Sequence, residues 1–532
     1  MNIYLMGVIL SILAYIIVGI YAGRKVKNVS DYYVSGRNAP TLLIAGTLFA
    51  SMLSTNGFMG DTGYSYGGNI TTMILLNVLC ATGYIFGPMF FGRYIRRAEI
   101  NTMPSYFGKR FNSTRIQRLT GVVTVISLTA YLLAVIQGTG LLMQSLTGLD
   151  RVVCLLIAWA CFTSFTFYSG SSGVILTDTM MFLLFLVATI IGGPYIFNAA
   201  FGETGGLANL VPTLMANPNT PEGLLNYHGN PGGGTVFDIT MYAITVGIIW
   251  LVTVGVSPWQ AGRNLMARNE HVTFRSGAIS AICTVIFLTY LYLMAISVIQ
   301  LYPNMAQPER VIIWAALNVM PQIIGVAVLA GIMAAGLSSA STFLSVVGFS
   351  VSSDVFDKKF RDDKHQLSYS RNVMLVVSLI ALIISYFDIA GIRIISWFAS
   401  TLIAATWGYV AFASVWDKKL TERGAFFSMI GGFFGFIIPR ITNGLGITSF
   451  SNVLDPFFIG VAISIAMAYI GNKGQTKTAE EIAFQAKLHV IPKFETVALD
   501  YKRDFAYGRL MVAAGVIISI VFIVFWAIPF NA

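Results

Sequence analysis

The stretch Ser51-Met52-Leu53-Ser54-Thr55-Asn56-Gly57 interrupts an otherwise apolar segment over residues 41–66. A second apolar segment, over residues 237–260, is interrupted by Gly255-Val256-Ser257-Pro258. Proline removes a backbone donor, and glycine disfavours a helix interior by about 1 kcal/mol relative to alanine. In a membrane such breaks persist where the freed backbone is buried in protein or lines a polar cavity. The alternative is a pair of simple helix kinks.

The composition is that of a polytopic membrane protein. The 532 residues are 56% hydrophobic and 11% charged. Apolar segments recur along the chain, each long enough to cross a hydrocarbon core that needs about 20 helical residues. We predict fourteen transmembrane helices, at roughly 2–22, 41–66, 69–95, 118–147, 152–169, 171–200, 237–260, 276–302, 323–351, 372–388, 392–414, 424–442, 454–471 and 509–529. The first lacks a basic region and a cleavage site, so we interpret it as a retained helix.

The two breaks fall in the second and seventh of these segments, five helices apart. Corresponding breaks in two halves of a chain are typical of a transporter built on an inverted repeat, with its site near the membrane midplane. We therefore predict an all-α fold with two inverted five-helix repeats. The predicted division is an N-terminal peripheral helix and cytoplasmic loop (1–40), a first repeat (41–200), an extracellular loop (201–236), a second repeat (237–414) and peripheral C-terminal helices (415–532) with a cytoplasmic segment (472–508).

The net charge of +10 is a topology signal. All Lys and Arg except Arg151, Arg310, Arg393 and Arg440 fall in six alternate connections: 23–40, 93–118, 263–275, 358–371, 418–423 and 473–509. By the positive-inside rule these connections are cytoplasmic, which places both termini outside. We expect attraction to anionic membrane lipid and no nucleic-acid binding. The expected location is the plasma membrane, the inner membrane in a bacterium.

Cysteine and histidine argue against an enzyme. The four cysteines lie in or at the ends of apolar segments without paired spacing, which favours core packing over disulfides or a metal. The four histidines lie in connections and show neither metal-ligand spacing nor a hydrolase order. We predict that the protein is not an enzyme.

The apolar segment 323–351 carries a run of hydroxyls, Ser338-Ser339-Ala340-Ser341-Thr342, after Ala334-Ala335-Gly336. Helical spacing puts Ser338, Ser341 and Thr342 on one face, with Ser339 beside them. These oxygens could face carbonyls released at the first break, near Ala50 and Leu53, and form a neutral cage for a small monovalent cation. The alternative is a close helix crossing, because small residues are usual where membrane helices touch.

Two carboxylates fall in or near the predicted membrane interior. Asp178 lies about two turns from the cytoplasmic end of its helix, and an intramembrane Asp is a functional hypothesis by default. It could be a second cation ligand, an exit relay, or a group that ties helices together. Asp61 lies near the outer end of the first broken helix, where it could contact a solute or reach interfacial water.

Several motifs together resemble the solute:sodium symporter family, which includes sodium/glucose, sodium/proline, sodium/pantothenate and sodium/sialic acid symporters. The order and placement of these motifs carry the resemblance, which runs to about residue 470. It implies the leucine-transporter fold and sodium-coupled uptake of a small polar organic solute by alternating access. The matching stretches are Ser35-Gly36-Arg37, Phe49-Ala50-Ser51-Met52-Leu53-Ser54, Leu176-Thr177-Asp178, Arg263-Asn264-Leu265-Met266-Ala267, Ala334-Ala335-Gly336-Leu337-Ser338-Ser339 and Gly424-Ala425-Phe426-Phe427-Ser428-Met429.

The resemblance also implies sodium ligands. The family's main sodium site falls on the carbonyls of Ala50, Leu53 and Ala335 and the hydroxyls of Ser338 and Ser339. The second site found in some members matches Asp178, Ser341 and Thr342, with Ser338 adjacent. The expected cargo is therefore one or two sodium ions per cycle.

The solute is less well specified. Positions that bind sugar in sugar-transporting members match Met52, Gly57, Ser257 and Trp259, so a sugar is disfavoured. No Lys or Arg lies within the helices predicted to line the cavity, so a strongly anionic solute would lack a fixed partner. The remaining candidates for the solute are an amino acid, a vitamin, a monocarboxylate and a polyol-like compound. The candidate binding residues are Thr55, Asn56, Gly57, Gln137, Ser257 and Trp259.

Two other functions would fit parts of the sequence. A channel would also show polar residues at midplane, but paired broken helices favour a carrier. A solute sensor would need a separately encoded signalling partner, because the segment 472–508 is too short for a catalytic domain. That segment is either an interfacial amphipathic helix or a connector. We expect a monomer.

Overall fold

The computed structural model describes residues 2–23, 34–221, 224, 235–356, 360–450, 454–493, 495 and 501–522. Within these ranges the chain is helical, with one isolated bridge between Ala39 and Ala267. The helices of seven or more residues are α1 (Ile3–Gly23), α2 (Thr41–Thr55), α3 (Ile70–Gly87), α4 (Met103–Arg110), α5 (Thr114–Thr147), α6 (Arg151–Phe201), α7 (Leu210–Ala216), α8 (Val236–Val256), α9 (Glu270–Ser297), α10 (Val311–Asn318), α11 (Gln322–Phe349), α12 (Asp363–Tyr386), α13 (Ile392–Trp416), α14 (Glu422–Gly444), α15 (Pro456–Asn472), α16 (Ala479–His489) and α17 (Tyr501–Phe522).

Ten helical stretches in the described ranges are long and apolar enough to cross a membrane. One of them, Thr41–Arg97, contains two of the predicted segments, and α15 and the first part of α6 are shorter apolar helices. The last predicted segment, 509–529, begins inside α17 and ends outside the described residues. The all-helical class is confirmed, whereas the total of fourteen helices stays a prediction.

Helix α6 contains two apolar portions. Its 51 residues would measure about 75 Å as one straight helix, more than twice the hydrocarbon core. Its first apolar portion, Arg151–Phe167, begins beside Asp388 and ends beside Arg371, whereas the second, Val174–Thr204, begins beside α2. The two portions correspond to the predicted segments 152–169 and 171–200.

Both predicted breaks are present. In α2 the backbone leaves the helical region at Ser54, with φ 37° and ψ −175°, and continues as a π-helical turn over Asn56–Asp61. Helix α8 ends at Val256, Ser257 is extended, and a 3₁₀ turn follows over Ala261–Met266. Because each break ends the regular hydrogen-bond ladder inside an apolar segment, backbone oxygens become available near the centre of the protein.

The two broken segments are held in the core by close packing. A Cβ added to Gly87 of α3 would lie 2.7 Å from the Gly255 Cα of α8, so the two backbones touch just before the second break. Among the ten apolar spans, those of α11 and α13 are the most enclosed, with 78% and 83% of their most apolar stretch buried. Helix α1, at 22%, lies on the periphery.

The described part of the segment predicted to be cytoplasmic packs onto the rest of the protein. Thr478 caps α16 reciprocally with Glu481, and Leu488 is fully buried. The Gln485 Nε2 donates to the Val415 carbonyl at 3.0 Å, and the Arg97 Nη1 donates to the Leu488 carbonyl at 2.7 Å. These contacts attach α16 to the inner ends of α13 and of the turn after α3.

Candidate functional site

A cavity lies at the first break, between α2, α3, α8, α9 and α13. Its polar side chains are Asn56, Asp61, Asn77, Arg393 and Ser396, and its aromatic ones are Trp250, Tyr292 and Trp397. We call it the central cavity. It joins residues from both predicted repeats, since α2 and α3 belong to the first repeat and α8, α9 and α13 to the second.

An ion pair lies in its wall. The Arg393 Nε lies 3.7 Å from the Asp61 Oδ1, and the two side chains are 14% and 15% exposed. Arg393 also donates from Nη1 to the Tyr242 hydroxyl at 2.9 Å, and its guanidinium lies 4.0 Å above the Tyr64 ring. The expectation that no Arg or Lys lines the cavity is therefore wrong. By sequence, Arg393 counts with the basic residues on the external side, at the start of the predicted segment 392–414; it is the second residue of α13, and its side chain enters the cavity.

A polar network crosses the cavity from the broken helix to α13. The Ser396 hydroxyl donates to the Asn56 Oδ1 at 2.9 Å, and the Asn56 Nδ2 donates to the Asp61 Oδ2 at 3.3 Å. A Cβ on Gly60 would lie 2.6 Å from the Asn56 Oδ1 and 3.3 Å from the Arg393 Cβ. Only glycine at that position lets the broken helix come this close to α13.

The six predicted solute-binding residues do not lie together. Asn56 and Gly57 line the central cavity. Thr55 faces α5, with its hydroxyl 3.5 Å from the Ala134 carbonyl. The Gln137 amide lines a separate cavity on the opposite side of α13's first turn, where it lies 3.5 Å from the Asp388 Oδ1.

The two predicted residues after the second break lie elsewhere again. Ser257 is fully buried, and its hydroxyl accepts from the Gln260 N–H at 3.3 Å. Trp259 is 1% exposed and packs edge-on against Tyr131 and Phe343, at ring distances of 5.7 and 5.8 Å. It borders an inner cavity near Arg263 and Thr342. Its surroundings are those of an aromatic packing residue.

The hydroxyl run of α11 lies against the first break. A Cβ on Gly336 would lie 3.2 Å from the Thr55 Cγ2, so α11 and the end of α2 are in direct contact. The Ser338 and Ser339 hydroxyls are buried; Ser338 lies beside the Asp178 carboxylate, and Ser339 has no hydrogen-bond partner among the described residues. A buried hydroxyl without a partner is unfavourable by about 1–3 kcal/mol. A small cation coordinated by both oxygens would satisfy them.

The three residues that would supply backbone oxygens to the predicted sodium site are all buried. Ala50, Leu53 and Ala335 are at most 2% exposed. The Leu53 carbonyl accepts from the Asn56 N–H, which leaves it a second lone pair for a cation. Carbonyl and hydroxyl oxygens are ligands suited to a hard monovalent ion.

Asp178 is paired with a residue that the sequence analysis placed in a cytoplasmic connection. The Arg263 Nη2 lies 3.4 Å from the Asp178 Oδ2, and the two side chains are 4% and 0% exposed. The same carboxylate oxygen accepts from the Thr47 hydroxyl at 2.5 Å. Arg263 reaches Asp178 because the 3₁₀ turn after the second break directs the chain back under α2.

The other members of the predicted second sodium site are also engaged. The Arg263 guanidinium donates to the Thr342 hydroxyl, and the Ser341 hydroxyl donates to the Ser338 carbonyl at 2.9 Å. Asp178, Thr342 and a cation therefore do meet, but the cation is the guanidinium of Arg263. The sequence signal was an Arg four residues beyond Trp259, at the start of the predicted connection 263–275.

Comparison with known proteins agrees with this architecture. The model of the sodium:solute symporter family matches residues 32–432. The osmoregulated proline transporter OpuE of Bacillus subtilis is 24% identical over 478 residues, covering 86% of this chain and 93% of that protein. The sodium/proline symporter of Escherichia coli is 24% identical over 492 residues, covering 89% and 94% of the two chains.

Among solved structures, a Na⁺-coupled sialic acid symporter in a substrate-bound outward-open state superimposes with a TM-score of 0.74. The match covers 90% of this chain and 99% of that one at 17% identity. At that identity the likeness speaks for the fold alone.

Proposed function

The chain belongs to the sodium:solute symporter family and has the leucine-transporter fold, and we propose that its cargo is a small zwitterion taken up with one sodium ion. It is a multi-pass membrane protein whose activity is sodium-coupled symport. The solute class and the sodium count are the parts that we propose here. The ion pair of Arg393 and Asp61 in the central cavity is the observation that carries the solute proposal.

A zwitterion matches this ion pair. Its carboxylate would bind the Arg393 guanidinium, its ammonium would bind the Asp61 carboxylate, and Asn56 and Ser396 would add neutral hydrogen bonds. At 3.7 Å the Arg393–Asp61 contact is a charge contact without a short hydrogen bond, so a solute can insert its own charges without breaking one. A neutral sugar inserted between Arg393 and Asp61 would separate the pair and offer neither side chain an ionic partner, which is unfavourable in a mostly buried cavity. The relatives that transport proline carry a zwitterion of this kind.

The sodium ion in this proposal binds the carbonyls of Ala50, Leu53 and Ala335 and the hydroxyls of Ser338 and Ser339. The support is chemical: the buried Ser339 hydroxyl has no partner among the described residues, Ser338 lies beside the Asp178 carboxylate, and Gly336 on the same helix contacts the break at Thr55. Entry of one positive charge down a potential of about 100 mV supplies roughly 2.3 kcal/mol. The energy drives accumulation of the solute.

We propose one sodium ion because Arg263 already neutralises Asp178. A second sodium there would have to displace the guanidinium, which would leave a buried and unpaired cation. The test is the ratio of charge to solute in voltage-clamped proteoliposomes, together with the Hill coefficient for sodium. We expect one charge and a coefficient near 1 in the wild type. In Arg263→Gln the vacated carboxylate accepts a cation, and the coefficient rises towards 2. A wild-type coefficient near 2 that falls to 1 in Asp178→Asn would overturn the single-sodium proposal.

The solute class is tested by thermal unfolding of purified protein with the twenty amino acids, glycine betaine, monocarboxylates and sugars, in sodium and in potassium. A solute that binds the native state raises its melting temperature, and coupled sites make the rise larger in sodium. We expect zwitterions to stabilise in sodium, and Arg393→Gln to abolish that response. Stabilisation by a sugar or by a monocarboxylate alone would refute the zwitterion proposal.

A further inference from the structure

Three residues that line the central cavity carry buried polar atoms without a hydrogen-bond partner in the described part of the chain. The atoms are the Asn77 Oδ1, the Tyr292 hydroxyl and the Trp397 Nε1. Asn77 and Tyr292 are 1% and 0% exposed. Most buried polar atoms in proteins are hydrogen-bonded, so three in one cavity wall indicate positions where a bound solute supplies the partners.

The Tyr292 hydroxyl belongs to the charged part of the cavity. It is close enough to Asp61 and Arg393 to interact electrostatically with both. A bound zwitterion would therefore offer it a partner with one of its own charged groups. The other two unpartnered atoms need a different part of the solute.

Asn77 and Trp397 lie one helical turn beyond the ion pair. The Arg393 Nη2 lies 3.9 Å from the Met73 Sδ, which places Met73 of α3 at the level of the guanidinium. Asn77 follows Met73 by four residues, and Trp397 follows Arg393 by four residues. Four residues advance a helix by about 6 Å and return to nearly the same face. The helices α3 and α13 run in the same direction, since their C-terminal ends also meet, so Asn77 and Trp397 reach the same depth.

These two side chains offer one acceptor and one donor. The Asn77 Nδ2 donates to the Thr284 and Val285 carbonyls of α9 at 3.3 and 3.4 Å, so the amide oxygen is the atom left over, and it can only accept. The Trp397 ring is packed edge-on against Tyr242, with 5.8 Å between the ring centres. Its indole N–H can only donate. A solute that satisfies both must carry a donor and an acceptor beyond its charged groups.

We propose that the solute is a zwitterion whose side chain ends in a carboxamide, as in asparagine or glutamine. The inference rests on the proposed function and deepens it, because the ion pair of the central cavity binds the two charges. The carboxamide N–H would donate to the Asn77 Oδ1, and the carboxamide oxygen would accept from the Trp397 Nε1. A side chain of two or three carbons spans the distance of about 6 Å between the two levels.

Side chains that lack either function fit less well. An apolar side chain of the same shape, as in leucine, would leave the Asn77 oxygen and the Trp397 N–H buried and unpaired. A site built to hydrogen-bond a group discriminates against an analogue without it, and we expect a factor of at least about ten here. A carboxylate side chain, as in aspartate, has no donor for the Asn77 oxygen and adds a negative charge to a cavity that already contains Asp61.

The test is equilibrium binding to the purified protein in sodium, by isothermal titration calorimetry. Two matched pairs are compared, L-asparagine with L-leucine and L-glutamine with L-methionine. Trp397→Phe removes the N–H and keeps an aromatic ring, and Trp416→Phe removes an indole N–H that donates to the Phe90 carbonyl at the other end of α13. We expect Trp397→Phe to lower the preference for the carboxamide by about five- to tenfold. Trp416→Phe should leave that preference unchanged.

Two further readouts separate a role in binding from a role in folding. Because the Trp397 N–H has no partner among the described residues, Trp397→Phe should not lower the melting temperature in the absence of solute. Asn77→Leu removes the acceptor and should lower the preference for the carboxamide by a similar factor.

Equal affinities of the wild type for the carboxamide and its apolar analogue would overturn the carboxamide assignment. So would an unchanged preference in either Trp397→Phe or Asn77→Leu. Both results leave the zwitterion proposal standing, provided that Arg393→Gln still abolishes binding. If no zwitterion binds the wild type in sodium, the proposed solute class is wrong and the carboxamide assignment fails with it.

Discussion

Replacing Asp178 with Asn should destabilise the protein more than replacing Asp178 and its partner together. In the single variant the Arg263 guanidinium, 4% exposed, would lose its charge partner and keep its contacts with the Thr342 hydroxyl and the Met266 sulfur. Removing one member of a buried ion pair costs about 3–5 kcal/mol, mainly because the other charge stays buried without compensation. The neutral pair of Asp178→Asn with Arg263→Gln removes that charge and should recover more than half of the loss.

The opposite single change is expected to be milder. In Arg263→Gln the Asp178 carboxyl can take up a proton and keep its hydrogen bond with Thr47, so no charge remains buried. The order of stability should therefore be wild type, then Arg263→Gln and the double variant, and last Asp178→Asn. For chains half this size or smaller, a loss of 1 kcal/mol lowers the melting temperature by about 2–4 °C, and the shift is smaller in longer chains. The melting temperature of Asp178→Asn should therefore lie of the order of 5 °C below that of the wild type.

The assay is thermal unfolding in detergent without sodium, so that cation binding does not enter. Glu203→Gln, an exposed carboxyl, is the matched control and should unfold with the wild type. A double-mutant cycle gives the coupling between the two positions. If the double variant is as unstable as the sum of the singles, the two side chains do not interact and the argument for a single sodium loses its basis.

Three further predictions use other contacts. Ser338→Ala and Ser339→Ala should each raise the half-saturating sodium concentration for uptake about tenfold. The control Ser345→Ala should not, because the Ser345 hydroxyl donates to the Ser341 carbonyl on the same helix. Equal sodium responses in all three variants would show that Ser338 and Ser339 are not sodium ligands. Gly87→Val should abolish folded protein on size-exclusion chromatography, because its side chain would meet the backbone of α8; a normal elution profile would contradict that packing. Burial and the nearby Arg110 lower the pKa of Lys477 to about 8, so between about pH 8 and 10 the unfolded chain holds a proton that the folded one has lost. Stability should therefore rise with pH in that window for the wild type and not for Lys477→Met, and parallel melting curves for the two would exclude the effect.

The architecture was predictable because it follows from patterns that act locally. Apolar length predicted the membrane helices, and Pro258 with the glycines around it predicted the break that the structure has after Val256. The hydroxyl run of α11 was also predicted to face the first break, and the contact of Gly336 with Thr55 agrees with that. Each of these inferences needs only the composition of one segment and its spacing.

The ion pairs were not predictable in the same way, because their partners come from segments far apart in the chain. Arg393 and Asp61 are more than 300 residues apart in the sequence. The positive-inside rule, by which Arg393 was counted on the external side, considers each basic residue only by its distance from an apolar segment. The same rule placed Arg263 in a cytoplasmic connection, although the turn after the second break brings it back to Asp178. Counting charges predicts on which side of the membrane a loop lies. It does not predict which residues at the end of a loop have side chains that fold back into the core.

Each of the two helix breaks has its own Arg–Asp ion pair, Arg393 with Asp61 near the first and Arg263 with Asp178 near the second. Asp61 and Arg393 lie on the outer side of the first break and are partly exposed to the central cavity, so a solute can compete for them. Asp178, on α6, and Arg263, in the turn after the second break, are almost fully buried beside the hydroxyl helix, and Arg263 borders the inner cavity. Ser338 lies beside the Asp178 carboxylate, and the buried Ser339 hydroxyl has no partner among the described residues. A cation bound by these two hydroxyls would lie next to the first break, which also borders the central cavity.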